Sequence, residues 1–338
     1  MHIGRISRQG LDGPVPRLVA VHPGDREVVD LATAEAHRLR GRGAEWDAAQ
    51  RLATAMFPGS LTAALRAGDA FTEALAVVLY GELGAVTLAW DDVEWLTPVD
   101  PPVMRDSSAF EQHLINAHKR GKRTVPDYFY DIPVYYKMNP ATIVGAGAEI
   151  AWCAGSRFMD YELELAIVIG RGGRDLDPSE AGRHVFGYTI MNDFSARDIQ
   201  AQEMGSGFGP AKSKDFVTAV GPWVTTADSL DVRDLAMVAT VNGEERSRGS
   251  TSTMMWSVEE MVAFLSQSED LTVGEVLGSG TVGYGSGLEL FKKLQPDDVV
   301  ELDIAGIGVL GNRVGARTTR SWEPTRRTRT EVPPDEDG

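Results

Sequence analysis

The segment MDYELELAIVIG, residues 159–170, constrains this chain more than any other. It reads as a β-strand, in which successive side chains point to opposite faces. Leu163, Leu165, Ile167 and Ile169 then share one face, all large and apolar. Glu162, Glu164, Ala166 and Val168 share the other. Two carboxylates therefore project together from a face that is otherwise apolar. Burying such a pair without partners is costly, and each charge disfavours ionisation of its neighbour. Two arrangements resolve the conflict. Either the glutamates lie at a solvated strand end, or a cation sits between them.

Composition narrows the classes of function. The chain has 338 residues, enough for one large or two ordinary domains. Its hydrophobic and charged fractions, 43% and 24%, are those of a soluble globular protein. The opening MHIGRISRQG lacks the apolar core of a signal peptide. No apolar run approaches the roughly 20 residues that a membrane span needs. A single cysteine, Cys153, excludes an intrachain disulfide and a cysteine-cluster zinc site, and a cytoplasmic location is expected. A net charge of −16 argues against nucleic-acid binding, which requires a basic face. It leaves oxygen-rich sites open to hard cations.

The chain changes character along its length. Residues 1–30 read as short strands with a Pro-Gly-Asp turn. Residues 33–85 are alanine-rich, with Phe71, Leu75, Val78 and Leu79 at helical spacing. The proline-rich WLTPVDPPV (95–103) marks a boundary, placed near residue 98. A helix is expected over 107–119, with Ser108 and Glu111 as its capping box and Phe110, Leu114 and Ala117 on its apolar side. From 140 onward, β-type runs punctuated by glycine and proline dominate, and a second helix is expected over 257–267. These features predict an N-terminal domain over 1–98, a β-rich second domain over 99–320 and a disordered tail over 321–338.

Several constellations carry possible chemistry. MNDFSARDIQ (191–200) follows a strand-like run and presents Asp193, Arg197, Asp198 and Gln200. An aspartate at a strand end beside the Glu-x-Glu strand would complete an all-oxygen site, suited to Mg²⁺, Mn²⁺ or Ca²⁺ rather than zinc. The same aspartate also suits a turn or a helix N-cap. Asp106 precedes the helix expected over 107–119 and His113 lies on it, where a histidine can serve as a general base near neutral pH or simply sit on the surface. His118 falls off that face and reads as structural. Lys214, in SKDFVT, could stabilise an oxyanion or be solvated. The glycine-rich GSGTVGYGSGLEL (278–290) carries Thr281 and Glu289 and fits neither a Walker loop nor a Rossmann fingerprint. GSGFGP (205–210) reads as a flexible loop or lid.

The order of these motifs is more specific than any one of them. RDSSAFEQH, PVYY, YELE, MNDFSARDIQ, SKDF, GSGTVGYGSGLEL and a closing β-rich segment with its NRV follow one another over residues 95–318. In that order they resemble the fumarylacetoacetate hydrolase family. The resemblance implies an α+β, β-rich fold. Its catalytic domain would be a mixed β-roll or β-sandwich of the fumarylacetoacetase C-terminal type, behind a smaller N-terminal domain and assembled as a homodimer.

It further implies a divalent cation, Mg²⁺ first and Mn²⁺ or Ca²⁺ next, held by Asp106, Glu162, Glu164 and Asp193. His113 would be the general base, oriented by Glu289. Lys214 and Arg197 would complete the catalytic set. Tyr136, Gln200, Lys122 and Thr281 would contact substrate, and Thr218 would lie near the metal shell. The implied reaction is hydrolytic C–C cleavage of a β-diketone or acylpyruvate-like acid. The alternatives are isomerisation, decarboxylation or hydration of a 2-oxo acid, or a non-catalytic binding role. Ser108, Lys122 and Met204 depart from the family pattern, all on the substrate side. Lysine in particular cannot reproduce arginine's bidentate grip on a carboxylate.

Overall fold

The Glu-x-Glu strand lies deep inside a large mixed sheet. The computed structural model describes residues 1–10, 13–24, 26–80 and 87–328. Strand Leu163–Ile169 pairs antiparallel with Val185–Asn192 on one side and with Val276–Gly278 on the other. Beyond Val276–Gly278 come Met104–Ser107, running parallel to it, and then Tyr135–Met138. In the opposite direction the sheet continues through Thr218–Thr226 to His2–Gly10, Gly13–His22, Glu27–Asp30 and Thr87–Ala89. One sheet therefore runs from N-terminal strands into the segments bearing the predicted site, with His2 opposite Thr225.

Both faces of the central strand are buried, as its sequence requires. Leu163, Leu165, Ile167 and Ile169 enter a core with Met261, Val262, Leu302 and Ile304. Ala166 and Val168 enter a second core with Leu61, Phe71, Leu75 and Val78. These last residues belong to Leu61–Leu65 and Asp69–Tyr80, two of the alanine-rich helices, which thus cover the face that carries the carboxylates. Each fully buried Leu or Phe contributes about 1.5–3 kcal/mol relative to exposure.

A second sheet closes the first core. Its order is Glu244–Ser250, Ala236–Val241, Val299–Ile304, Gly308–Val314 and Glu149–Ile150. Met237, Ala239 and Val241 alternate with more exposed residues, and Val300, Leu302 and Ile304 do the same, so each strand turns one apolar face inward. Helix Val258–Leu265 packs on this core and starts with a capping box between Ser257 and Glu260.

The helix expected over 107–119 begins later, at Glu111, and ends at Arg120. Ser108 does not cap it. Phe110 occupies the N-cap position without a side-chain bond. The preceding backbone is already engaged, because Ala109 N donates to Ser279 O at 2.9 Å and Ala109 O accepts from Met255 N at 2.8 Å. Those bonds keep residues 107–109 extended, which leaves no room for the capping geometry. Residues 321–328 of the expected disordered tail contain no helix or strand, and 329–338 lie outside the described residues. Among the described residues no helix is long and apolar enough to cross a membrane.

Candidate active site

Three strand ends converge on a buried acidic cluster. Asp106 comes from Met104–Ser107, Glu164 from Leu163–Ile169, and Asp193 follows directly on Val185–Asn192. One carboxylate oxygen from each lies within 4.8 Å of the others, and all three side chains are buried. The strand between the first two contributes Gly278. A Cβ there would stand 2.4 Å from Asp106 Oδ1, 2.8 Å from Glu164 Oε2 and 2.1 Å from Met191 Cε. Only glycine leaves the space between these carboxylates open.

This grouping costs free energy unless positive charge or protons enter it. Burial, followed by the charge of Asp193, pushes Asp106 up to about 7. Burial and the charges of Asp106, Glu162 and Asp193 drive Glu164 well above the usual carboxylate range. Glu164 Oε2 and Asp193 Oδ1 are buried with no hydrogen-bond partner among the described residues. Two unpartnered carboxylate oxygens, one of them beside the Gly278 gap, in a donor set made only of carboxylates, fit a hard divalent cation.

Glu162 is handled differently, although it shares the strand face. It lies just before the strand, bridged to Ser286. Burial alone would raise its pKa, but Arg197 and Lys214 hold it well below the usual range. Arg197 Nη2 donates to Glu162 Oε1 at 2.7 Å. The Lys214 ammonium is inserted between Glu162 Oε2 and Asp193 Oδ2, and the Tyr136 hydroxyl donates to the same Asp193 oxygen. Glu162 thus sits at the cationic edge of the cluster, while Asp106, Glu164 and Asp193 form its anionic centre.

The general-base candidate closes over this edge. His113 lies on helix Glu111–Arg120, with Nδ1 2.9 Å from Glu289 Oε2 and Nε2 3.9 Å from Glu162 Oε1. Glu289 is held in turn by Asn116 Nδ2 at 2.8 Å, Ser286 Oγ at 2.9 Å and the backbone N–H of Tyr284 at 2.8 Å. Burial opposes its ionisation, but these bonds, His113 foremost, keep its carboxylate below the ordinary pKa. With Nδ1–H donating to Glu289, Nε2 carries the lone pair.

The other predicted residues divide. Thr281 donates to Glu164 Oε1 at 3.1 Å. Gln200 accepts from Arg197 Nη1 at 3.0 Å. Thr218 is buried at the start of its strand and makes no hydrogen bond to the cluster among the described residues. Lys122 stands exposed in the turn after the helix, with a φ of 54°, and makes no ion pair to the cluster among the described residues. His118 bonds to Leu114 O at 2.8 Å, a structural use. Sequence reasoning missed Asn116, Ser286 and Asp160. Asp160 had a signal, since it precedes Glu162 and Glu164 at the same two-residue spacing.

Known proteins resemble this chain in sequence and in fold. The profile of the fumarylacetoacetate (FAA) hydrolase C-terminal family matches residues 102–315. An oxaloacetate tautomerase of Bacillus subtilis is 31% identical over 268 residues, covering 76% of this chain and 87% of the relative. A mitochondrial oxaloacetate tautomerase of Homo sapiens is 30% identical over 264 residues, covering 76% of this chain and 80% of the relative. Among solved structures, a fumarylacetoacetate hydrolase from psychrophilic Exiguobacterium antarcticum superposes with a TM-score of 0.70 at 29% identity. That match covers 94% of this chain and 100% of the other.

Proposed function

This chain belongs to the fumarylacetoacetate hydrolase family, and we propose that it is a cation-dependent enzyme that moves a proton on a small 2-oxo acid, interconverting its keto and enol forms. The observation that carries the reading is the His113 imidazole, tied at Nδ1 to Glu289 and leaving Nε2 on the side of the carboxylate cluster. Two relatives matched over three-quarters of this chain are named as oxaloacetate tautomerases, which supports oxaloacetate as the first substrate to test.

A hard divalent cation, Mg²⁺ or the similar Mn²⁺ or Ca²⁺, would be held by Asp106, Glu164 and Asp193 with Glu162 at its edge, and would supply Lewis-acid polarisation of the oxo-acid oxygens. His113 Nε2 removes or delivers the proton at the carbon next to the carbonyl. Glu289 fixes the tautomer and stabilises the imidazolium that results. Lys214 keeps a positive charge beside Glu162 and Asp193, and Gln200, fixed by Arg197, would contact the substrate. The same reading takes a homodimer as the assembly, which sedimentation can test.

A second reading is C–C hydrolysis of an acylpyruvate, with His113 activating water instead of shuttling a carbon-bound proton. The fully hydrogen-bonded Glu289 behind the histidine favours it, because such a pair also suits water activation. Enol absorbance and product mass separate the two. Purified protein with Mg²⁺ is given oxaloacetate in its enol form and, separately, an acylpyruvate. Accelerated loss of the enol's ultraviolet absorbance with the first and no fragments from the second support proton transfer. Two fragments from the acylpyruvate, without accelerated keto–enol exchange, support hydrolysis.

A further inference from the structure

We propose that Asp160 is a positioning residue that joins the two halves of the site, holding Glu162 through Arg197 and Glu289 through the turn that carries it. The assignment rests on the reading of the cluster and of His113 given above. Asp160 is fully buried, and its carboxylate is taken up by donors from the protein itself. Its Oδ2 accepts from Arg197 Nε at 2.7 Å and from Leu288 N at 2.9 Å. Its Oδ1 accepts from Gly287 N at 2.8 Å and from Tyr161 N at 2.9 Å. A carboxylate offers about four lone-pair directions, so these four donors use its capacity fully.

The two arms lead to different functional groups. On one side the Arg197 guanidinium passes from Asp160 to Glu162 Oε1 at 2.7 Å, and its third nitrogen reaches Gln200 at 3.0 Å. Arginine's planar fork makes this a fixed angle between the two acids. On the other side, Gly287 and Leu288 open the turn Gly287–Leu290, which contains Glu289. The approach is so close that a Cβ on Gly287 would stand 2.5 Å from Asp160 Oδ1 and 2.0 Å from Lys292 O. Glu289 then reaches His113 from this anchored turn. A carboxylate that only capped a turn would not need Arg197, and one that only paired Arg197 would not need the two backbone donors.

The Asp160→Asn variant separates these roles, since an amide can accept on one side only and presents a donor to the other two donors. Two readouts are taken on the full chain. The first is the proton resonance of His113 Nδ1–H in the metal-free protein, assigned by its loss in His113→Gln. The second is the affinity for Mn²⁺ by calorimetry. Asp160→Asn is expected to broaden or remove the resonance and to weaken Mn²⁺ binding by roughly 10- to 100-fold, as loss of an outer partner does at metal sites. Circular dichroism checks that the variant is folded. If it is not, Arg197→Lys is read in the same way, because it loosens Asp160 from the far side. A folded variant in which either readout stays at the wild-type value overturns the proposed link. Neither readout uses turnover, so failure to find activity on any oxo acid would refute the functional reading while leaving this test intact.

Discussion

His113 Nδ1 lies 2.9 Å from Glu289 Oε2, although the two residues are 176 positions apart in sequence. A helix that follows the first strand of the site and the glycine-rich turn Gly287–Leu290 thus supply one proton-handling unit. The pair is informative because Glu289 has no spare capacity. Asn116, Ser286 and Tyr284 N occupy its remaining acceptor positions. The Glu289→Gln variant should therefore lose the bonds on one side of this carboxylate and roughly 10²–10⁴-fold in kcat, with less effect on KM. Steady-state kinetics beside a thermal melt would check this.

The anionic centre sets stability against cation binding. Glu164 and Asp106 repel each other while Glu164 Oε2 has no partner. Glu164→Gln should raise the stability of the metal-free protein by about 1–2 kcal/mol, the range seen when a strained functional group is relieved. Divalent-cation affinity should fall sharply in the same variant, and the Glu162→Gln plus Glu164→Gln double variant should lose it altogether. Denaturant unfolding and calorimetric titration measure the two sides.

A pH dependence follows from the same crowding. In the metal-free protein Asp106 titrates near 7, above its unfolded value of about 4. Between those limits the folded state binds more protons than the unfolded one. The stability contributed by this group is therefore complete below about pH 4 and is lost as pH rises to 7. Glu162, whose pKa is depressed by Arg197 and Lys214, contributes in the opposite sense only below the ordinary carboxylate range. Unfolding midpoints of the metal-free protein should fall as pH rises from 5 to 7, on the order of the window those pKa limits set. A saturating cation should flatten that dependence.

Gly278 gives a steric test. Its Cβ would overlap Met191 Cε and Asp106 Oδ1. Gly278→Ala should lower cation affinity by more than tenfold, roughly the scale of a displaced ligand shell, while the circular dichroism spectrum stays that of the wild type. Calorimetry checks the first part.

Much of this arrangement was legible in the sequence because it depends on local periodicity. The alternation in YELELAIVIG places Glu162 and Glu164 on one face and the leucines on the other, and Leu163–Ile169 is a strand buried on both faces. What sequence could not show depends on angles between distant elements. Nothing local says that Lys214 and Arg197 converge on Glu162 and leave Glu164 among carboxylates. Lys122, assigned to substrate by resemblance, is exposed because the helix before it ends at Arg120 and the chain turns away. Ser108 failed as a cap because the backbone N–H of Ala109 beside it bonds to Ser279 O, 170 positions along the chain from Ala109. Asp160 was visible as a third acid in register, but its donors come from residues 197 and 287–288.

The central claim is that His113 moves the substrate proton beside a cation held by the acidic cluster. Its most direct test is the rate at which a 2-oxo diacid added as its enol becomes the keto form. The rate is followed by ultraviolet absorbance with wild type, with wild type plus EDTA, and with His113→Ala in saturating Mg²⁺. The account predicts acceleration by the wild type, loss of it on chelation, and a drop of roughly 10²–10⁴-fold in the variant. Equal acceleration by wild type and His113→Ala, or a wild-type rate unaffected by EDTA, would contradict it.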